Sequence, residues 1–217
     1  MEIIWHGHSC FEMKDEKTSI VFDPFGGIGL PEPRAKADIV LCSHSHGDHN
    51  NVKPVLGEGG IVLEGFIGTK EVKGISVTGV ATLHDTMGGS QRGKNTIYVV
   101  QMDGLQICHL GDLGHDLTAE QVKEIGKIDI VFSPVAGGAT IGPEVATAII
   151  TKLDPKIVLP MHYNTGVSGA PPWFPRAMPI AIEEFLKGKN NVERIKSRSL
   201  KVTKDNLPQE QKIMVLT

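Results

Sequence analysis

Residues 43 to 50 read SHSHGDHN and set three histidines and one aspartate, His44, His46, Asp48 and His49, within six consecutive positions. Imidazoles and a carboxylate crowded on one short turn are donors that suit zinc, iron, manganese or nickel, whereas calcium and magnesium prefer all-oxygen shells. His44 and His46 are separated by one residue and can point the same way, while Asp48 and His49 follow once the chain has turned. One turn can therefore offer two pairs of ligands to two adjacent positions. Three further candidates end later apolar segments: His84 in TLHD, Asp112 in HLGD and His162 in LPMHY. A lone histidine at a strand end is more often a surface or hydrogen-bonded residue than a ligand. Seven such groups packed together without a cation would cost roughly several kcal/mol per unpaired ion in desolvation. The expectation is a metal site.

The elements that must position these residues are short β-branched runs joined by turns. EIIW, CFEMK and SIVFD read as consecutive strands, and ADIVLCS, which immediately precedes the histidine turn, as a fully buried one. GIVLE, ISVTGVAT, NTIYVVQM and LQICHL continue the pattern, with turns at EVKG and MDGL. After HLGD the texture changes: LTAEQVKEIG predicts a helix capped by Thr118, and GPEVATAIITKLD one with Pro143 in its first turn. DIVFSPV and KIVLPM predict strands between helices, PIAIEEFLKG a third helix, and LKVTK and KIMVLT two closing strands. Both halves end strands in histidine or aspartate, which predicts two β-sheets sharing one site at their edge.

The 217 residues, about 40% apolar and 22% charged with a net charge of −3, describe an ordinary globular chain, expected to form one domain over 1–217. Basic residues are scattered, so no nucleic-acid partner is expected; they thicken only near Lys187 to Lys204, read as a solvated helix face. Neither a basic leader followed by an apolar run nor a stretch of about 18 apolar residues occurs, so no membrane span and a cytoplasmic location are expected. Cys10, Cys42 and Cys108 are odd in number and set among apolar residues, which predicts reduced, buried thiols.

Taken together, His44, His46, Asp48 and His49 match the His-x-His-x-Asp-His signature of the metallo-β-lactamase superfamily, and His84, Asp112 and His162 follow in that family's order. The resemblance covers residues 3 to 163, about three quarters of the chain. WHGHSCF, VFDPF, HLGDLG and LPMHYNT look like the small stand-alone branch of metal-dependent hydrolases similar to ascorbate-6-phosphate lactonase. The resemblance implies an α/β fold, a four-layer αββα sandwich, with a dinuclear centre between the sheets. Carried over by motif, His44, His46 and His84 would hold the first metal, Asp48, His49 and His162 the second, with Asp112 bridging and Asp23 buttressing the site. Two divalent transition-metal ions are implied, zinc foremost, with manganese, nickel or iron as alternatives.

Two metals roughly 3.5 to 4 Å apart can share and acidify a water and polarise a carbonyl or phosphoryl oxygen, which points to hydrolysis of an ester, lactone or phosphodiester in a small-molecule substrate. Asp48 is expected to orient the attacking hydroxide. Diiron redox members of the superfamily carry a glutamate at the position of His46 and usually a flavin domain, and its nucleases carry an inserted domain or RNA-binding arm; the motifs here match neither pattern. Asp112 stands where common zinc lactamases have a cysteine, which argues against antibiotic hydrolysis. A non-catalytic metal-dependent binding or sensing protein remains the alternative.

Outside the seven, His8 is expected to line the pocket and contact substrate, or to replace a ligand when one metal is absent, and His6 less so. Arg92, Lys94 and Asn95, in the glycine-rich loop DTMGGSQRGKNT, are expected to meet an anionic substrate, with Arg92 and Asn95 as the named contacts. Gly137 and Gly138 in VAGGATIG offer close backbone approach to a ligand. Trp173 and Phe174, in the Pro- and Gly-rich segment 166–179, are expected to be exposed and to cover the site or to bury themselves in a neighbouring subunit of a homo-oligomer.

Overall fold

The computed structural model describes residues 1–166 and 171–217. Six strands form one sheet: β1 (Glu2–Gly7), β2 (Cys10–Lys14), β3 (Ser19–Phe22), β4 (Ala37–Cys42), β5 (Leu56–Glu64) and, from the far end of the chain, a strand at Ser199–Lys201. β6 (Gly68–Val72), β7 (Ile75–Leu83), β8 (Lys94–Met102), β9 (Leu105–His109), β10 (Ile130–Pro134) and β11 (Ile157–Met161) belong to the second sheet. Two late strands, β12 (Val192–Ile195) and β14 (Lys212–Leu216), complete its eight; the one between them in sequence, Ser199–Lys201, is β13. The orders are β13-β1-β2-β3-β4-β5 and β12-β14-β11-β10-β9-β8-β7-β6. This is the two-sheet sandwich expected of the metallo-β-lactamase fold.

β3, β4 and β5 run parallel, as do β9, β10, β11, β14 and β12, whereas β1–β3 and β6–β9 pair antiparallel. Parallel strands are covered on both faces and so read as continuous apolar runs. Ile130–Pro134 and Ile157–Met161 are buried at every position, and Ala37–Cys42 at all but Asp38. The buried apolar side chains of both sheets join in one cluster, with Phe11 stacked on Phe132 at 4.1 Å across the interface.

The described helices all follow residue 118. α1 (Ala119–Ile125) packs on β7 and begins with the expected cap: Thr118 and Gln121 exchange side-chain and backbone hydrogen bonds. α2 (Pro143–Leu153) starts on Pro143, ends at left-handed Asp154 and packs on β10. α3 (Phe174–Ala177) is one short turn. The helix expected over 179–188 is reduced to α4 (Ile182–Leu186), because Ala181 is held extended by a bridge to Asn164. The basic stretch Lys187–Lys204 is not a helix face. It contains β12 and β13, each at the edge of a sheet, where charged side chains face solvent. All three cysteines are buried free thiols. No helix among the described residues is long and apolar enough to cross a membrane.

Polar links join the two sheets at one edge. Thr96 N–H donates to the Ser43 carbonyl at 2.9 Å, His162 N–H to that of His8 at 3.2 Å, and His109 Nε2 to that of Ser9 at 2.9 Å. Tyr98, fully buried on β8, accepts from Phe66 N–H at 3.1 Å and aims its hydroxyl at the carbonyls of Leu63 and Cys42, 3.1 and 3.2 Å away on the opposite sheet. Replacing Tyr98 by Phe should leave buried backbone groups unpaired and lower unfolding free energy by about 1–3 kcal/mol, read from the denaturant midpoint. A midpoint equal to wild type would show that this hydroxyl does not hold the sheets together.

Candidate metal centre

Every candidate ligand emerges at the carboxyl end of a strand along that edge: His44–His49 after β4, His84 after β7, Asp112 after β9 and His162 after β11. The structure brings all seven into one cluster. His44, His46 and His84 form one group whose ligand atoms all lie within 4.8 Å of one another, and His8, His49 and His162 form a second. Asp112 lies between them, its Oδ2 at 3.2 Å from Nε2 of His49, of His84 and of His162. Asp48 Oδ2 lies 3.8 Å from His49 Nε2 and 3.4 Å from His8 Nε2.

Asp23 sits behind the cluster with no exposure, at the end of β3. Its Oδ1 accepts the Ser43 backbone N–H at 2.7 Å, and its Oδ2 accepts the Ser43 hydroxyl at 2.7 Å and His49 Nδ1–H at 2.9 Å. Ser43 Oγ, its proton given to Asp23, accepts from His44 Nδ1 at 2.9 Å. One carboxylate thus fixes the ring orientation of a histidine in each group and turns both Nε2 atoms toward the centre, where they are the nitrogens left to bind a cation. His44 Nε2 and Asp112 Oδ1 are buried with no protein hydrogen-bond partner among the described residues. Buried polar atoms are almost always paired, so orphans that converge with lone-pair imidazoles fit a cation.

The charges agree. Burial alone would raise Asp112 and Asp23, yet the neighbouring histidines hold Asp23 below, and Asp112 well below, the ordinary carboxylate value. Asp48, opposed by burial but paired with His8 and His49, is also depressed. Burial pushes His44 down to about 3 and also lowers His46. Against its own burial, His49 is raised well above the usual imidazole value by Asp112 and Asp23. The carboxylates thus demand positive charge at their centre, which a bound proton supplies only singly.

Asn95 lines the cavity described next, but its amide is turned inward. Oδ1 accepts Asp112 N–H at 2.9 Å while Nδ2 donates to Thr82 Oγ1 at 2.8 Å and to the Leu110 carbonyl at 3.0 Å. The expected substrate contact is corrected to a positioning role, holding the backbone of Asp112. Gly111 makes this possible: it takes a φ of +59°, and a Cβ there would collide with Asn95 Oδ1 and the Ser43 side chain.

A cavity of about 910 Å³ opens beside the first histidine group, lined by His44 and His46 and, farther out, by Arg92, Lys94, Glu64 and Ile67. The loop carrying Arg92 is not loose. Asp85 accepts four backbone N–H groups, from Met87 and Gly89 on Oδ1 and from Gln91 and Arg92 on Oδ2, at 2.7 to 3.0 Å. Desolvation is the largest single influence and would raise its carboxyl, but the four bonds together outweigh it and bring the carboxyl down to about 2. An aspartate heading a Gly- and Ser-rich turn was the available signal for this anchor.

Other expectations resolve differently. His6 pairs with Glu12 at 2.9 Å, away from the cluster. Gly137 spends its N–H on the Ile141 carbonyl, and Gly138 is an exposed turn glycine lying against Pro179. Trp173 is 48% exposed, but Phe174 is buried, its ring 5.4 Å from that of His8. Of the segment 166–179, residues 167–170 lie outside the described residues.

A two-sheet sandwich with histidines and aspartates gathered at the strand ends of one edge defines a metal-dependent enzyme class. Residues 2–162 match the family model of the beta-lactamase superfamily domain, and the chain belongs to that superfamily. It is 32% identical to a metal-dependent hydrolase of Methanoculleus marisnigri, over 91% of each chain. A metal-dependent hydrolase of Thermococcus onnurineus is 33% identical over 73% of this chain and 83% of its own. Among solved structures, a candidate zinc-dependent hydrolase of the metallo-β-lactamase superfamily from Thermotoga maritima superposes with a TM-score of 0.81 at 36% identity, over 99% of this chain and 97% of its own.

Exchanging Asp23 for Asn replaces a receiver of three hydrogen bonds with a group that has one acceptor oxygen and brings its own donors. Metal affinity should fall by about 10- to 100-fold, measured by competition with a chromophoric chelator. Unchanged affinity would refute the orienting role. Because Asp112 and Asp23 raise His49 well above the usual imidazole value, metal must displace its proton at neutral pH, and apparent affinity in the wild type should go on climbing as pH rises past that usual value of about 6.5. A flat profile would contradict the protonated state.

Proposed function

We propose that this protein is a hydrolase with a dinuclear transition-metal centre, zinc foremost, that cleaves an ester, lactone or phosphodiester bond in a small anionic substrate. The observation that carries this reading is Asp112 Oδ2, 3.2 Å from imidazole nitrogens of both histidine groups, where a bridging carboxylate would stand. His44, His46 and His84 would hold one ion and Asp48, His49 and His162 the other. When bound, two such ions supply a water acidic enough to ionise near neutrality and an electrophile for the scissile carbonyl or phosphoryl group.

The chain's own groups do the rest. Asp48 is ionised, half-buried and beside both His8 and His49, so its carboxylate can only accept hydrogen bonds; it orients the attacking water and gives up no proton of its own. Arg92 and Lys94 set two cations against Glu64 on the cavity wall, and neither pairs with an acid among the described residues. An anionic group on the substrate suits that wall, and Arg92, its backbone N–H fixed by Asp85, is the better-placed anchor.

Elemental analysis of protein purified without a metal-affinity tag should give about two equivalents of transition metal, falling in Asp112→Ala. Protein without bound metal even after reconstitution would overturn the dinuclear reading. The loaded enzyme should turn over members of a panel of lactones, carboxylic esters and phosphodiesters; full loading without turnover would favour a binding or sensing role. Charge reversal in Arg92→Glu should raise KM about 10-fold for anionic members and leave neutral ones unchanged, consistent with loss of one charge-assisted contact.

A further inference from the structure

We propose that His8 is itself a ligand of the second metal, so that the two ions are unequal: one enclosed by five protein donors, the other open to the cavity. The proposal rests on the dinuclear reading above and adds a ligand that the His-x-His-x-Asp-His pattern does not contain.

Its geometry is that of a donor. His8 Nε2 lies 3.2 Å from His49 Nε2 and 3.4 Å from Asp48 Oδ2, and its ligand atom is within 4.8 Å of those of both His49 and His162. Donors about 2.1 Å from one ion stand about 3.0 Å apart at a right angle and about 3.4 Å apart at a tetrahedral angle. The His8–His49, His8–Asp48, His49–Asp112 and His162–Asp112 separations, 3.2, 3.4, 3.2 and 3.2 Å, all fall in that interval. With His49 Nδ1–H committed to Asp23, the atom that faces His8 is His49 Nε2, the one nitrogen left to bind a cation once its proton is displaced. Two imidazole nitrogens this close, both fully enclosed, have a common partner in a cation.

The local backbone is built to hold that ring. His8 has a φ of +52°, a left-handed conformation that costs a non-glycine residue roughly 1–2 kcal/mol. Its carbonyl accepts from Trp5 Nε1 at 3.1 Å and from His162 N–H at 3.2 Å. The ring packs 4.5 Å from that of His162 and 5.4 Å from Phe174, with Phe25 edge-on at 6.2 Å. It does not face the cavity, whose walls include His44 and His46 but none of His8, His49 and His162. The expected substrate contact by His8 is therefore replaced by a ligand role.

The consequence is a division of labour. His8, Asp48, His49, His162 and Asp112 close one position, as in structural metal sites, while His44, His46, His84 and Asp112 leave the other accessible, as in catalytic ones. Substrate then enters on the side of His44 and His46.

The test uses full-length, tag-free protein labelled with 15N at its nine histidines and loaded with 113Cd2+ alone. Cadmium–nitrogen correlations should show six coupled imidazoles, three on each ion, and His8→Gln should remove one from a single ion. Calorimetric titration of the same variant should weaken that cadmium at least about 10-fold and leave the other within about twofold. Two bound cadmiums sharing only five imidazoles in the wild type would overturn the role of His8 alone and leave the dinuclear reading standing. A single bound cadmium would overturn both. The wild-type count decides even where His8→Gln fails to fold, and equal weakening of both sites in the variant would make His8 a structural residue.

Discussion

The structure depends on a carboxylate that water cannot reach. Asp23 carries its charge at the end of β3 with no exposure, where an unpaired ion would cost several kcal/mol. Three hydrogen bonds from Ser43 and His49 compensate it, and through those bonds it decides which nitrogen of His49, and by way of Ser43 which nitrogen of His44, faces the centre. Asp112 and Asp48, on the opposite side of the His49 ring, add two more depressed carboxylates. A neutral cluster of imidazoles could be buried with modest loss; this one, with its acids ionised, requires a positive charge in its middle. Metal affinity is in that sense a condition of the fold at this edge and not an addition to it.

The sandwich is apolar in its interior and polar along one side. Phe11, Phe22 and Phe132 meet between the sheets, while Tyr98, Asn95, Ser43 and Asp23 spend their polar atoms where strands end. The backbone shares the cost. His8, Asp23 and His162 all have positive φ, between 43° and 52°, and all three are non-glycine residues that end or follow strands at the cluster. Among the described residues the other three of this kind, Lys73, Asp103 and Asp154, lie in tight turns or at a helix end. Strain tolerated at turns for connection is tolerated at the centre for aiming a side chain.

The same physics determines what could be read from residues alone. Interior strands such as Ala37–Cys42 and Ile157–Met161 were legible because burial on two faces leaves an unbroken apolar run. The missed or misread strands, Gly68–Val72 and Val192–Ile195, are the two edges of the larger sheet, where charge is favoured and period-two contrast fades. The seven candidate ligands were legible because each follows an apolar run. His8 was not placed among them, since its direction comes from a left-handed residue and a cage of rings contributed by distant segments. Asn95 was misjudged for the opposite reason: beside Arg92 and Lys94 it reads as part of a binding loop, whereas β8 begins there and turns its amide inward.

Since a centre of this kind can serve many hydrolytic reactions, selectivity has to be sought in whatever differs around it. On the side of the second histidine group the differences are closed off, because Phe174 and Phe25 pack on His8. On the other side the 910 Å³ cavity is lined, besides His44 and His46, by side chains outside the ligand set, among them Arg92, Lys94, Glu64 and Ile67. The loop behind Arg92 is held by four N–H bonds to Asp85, so its guanidinium starts from an ordered stem and loses less freedom on meeting an anion than one on a mobile turn would. If Arg92 meets the substrate as proposed, Asp85 would share in substrate choice through the stem it holds, although it lies outside the ligand cluster.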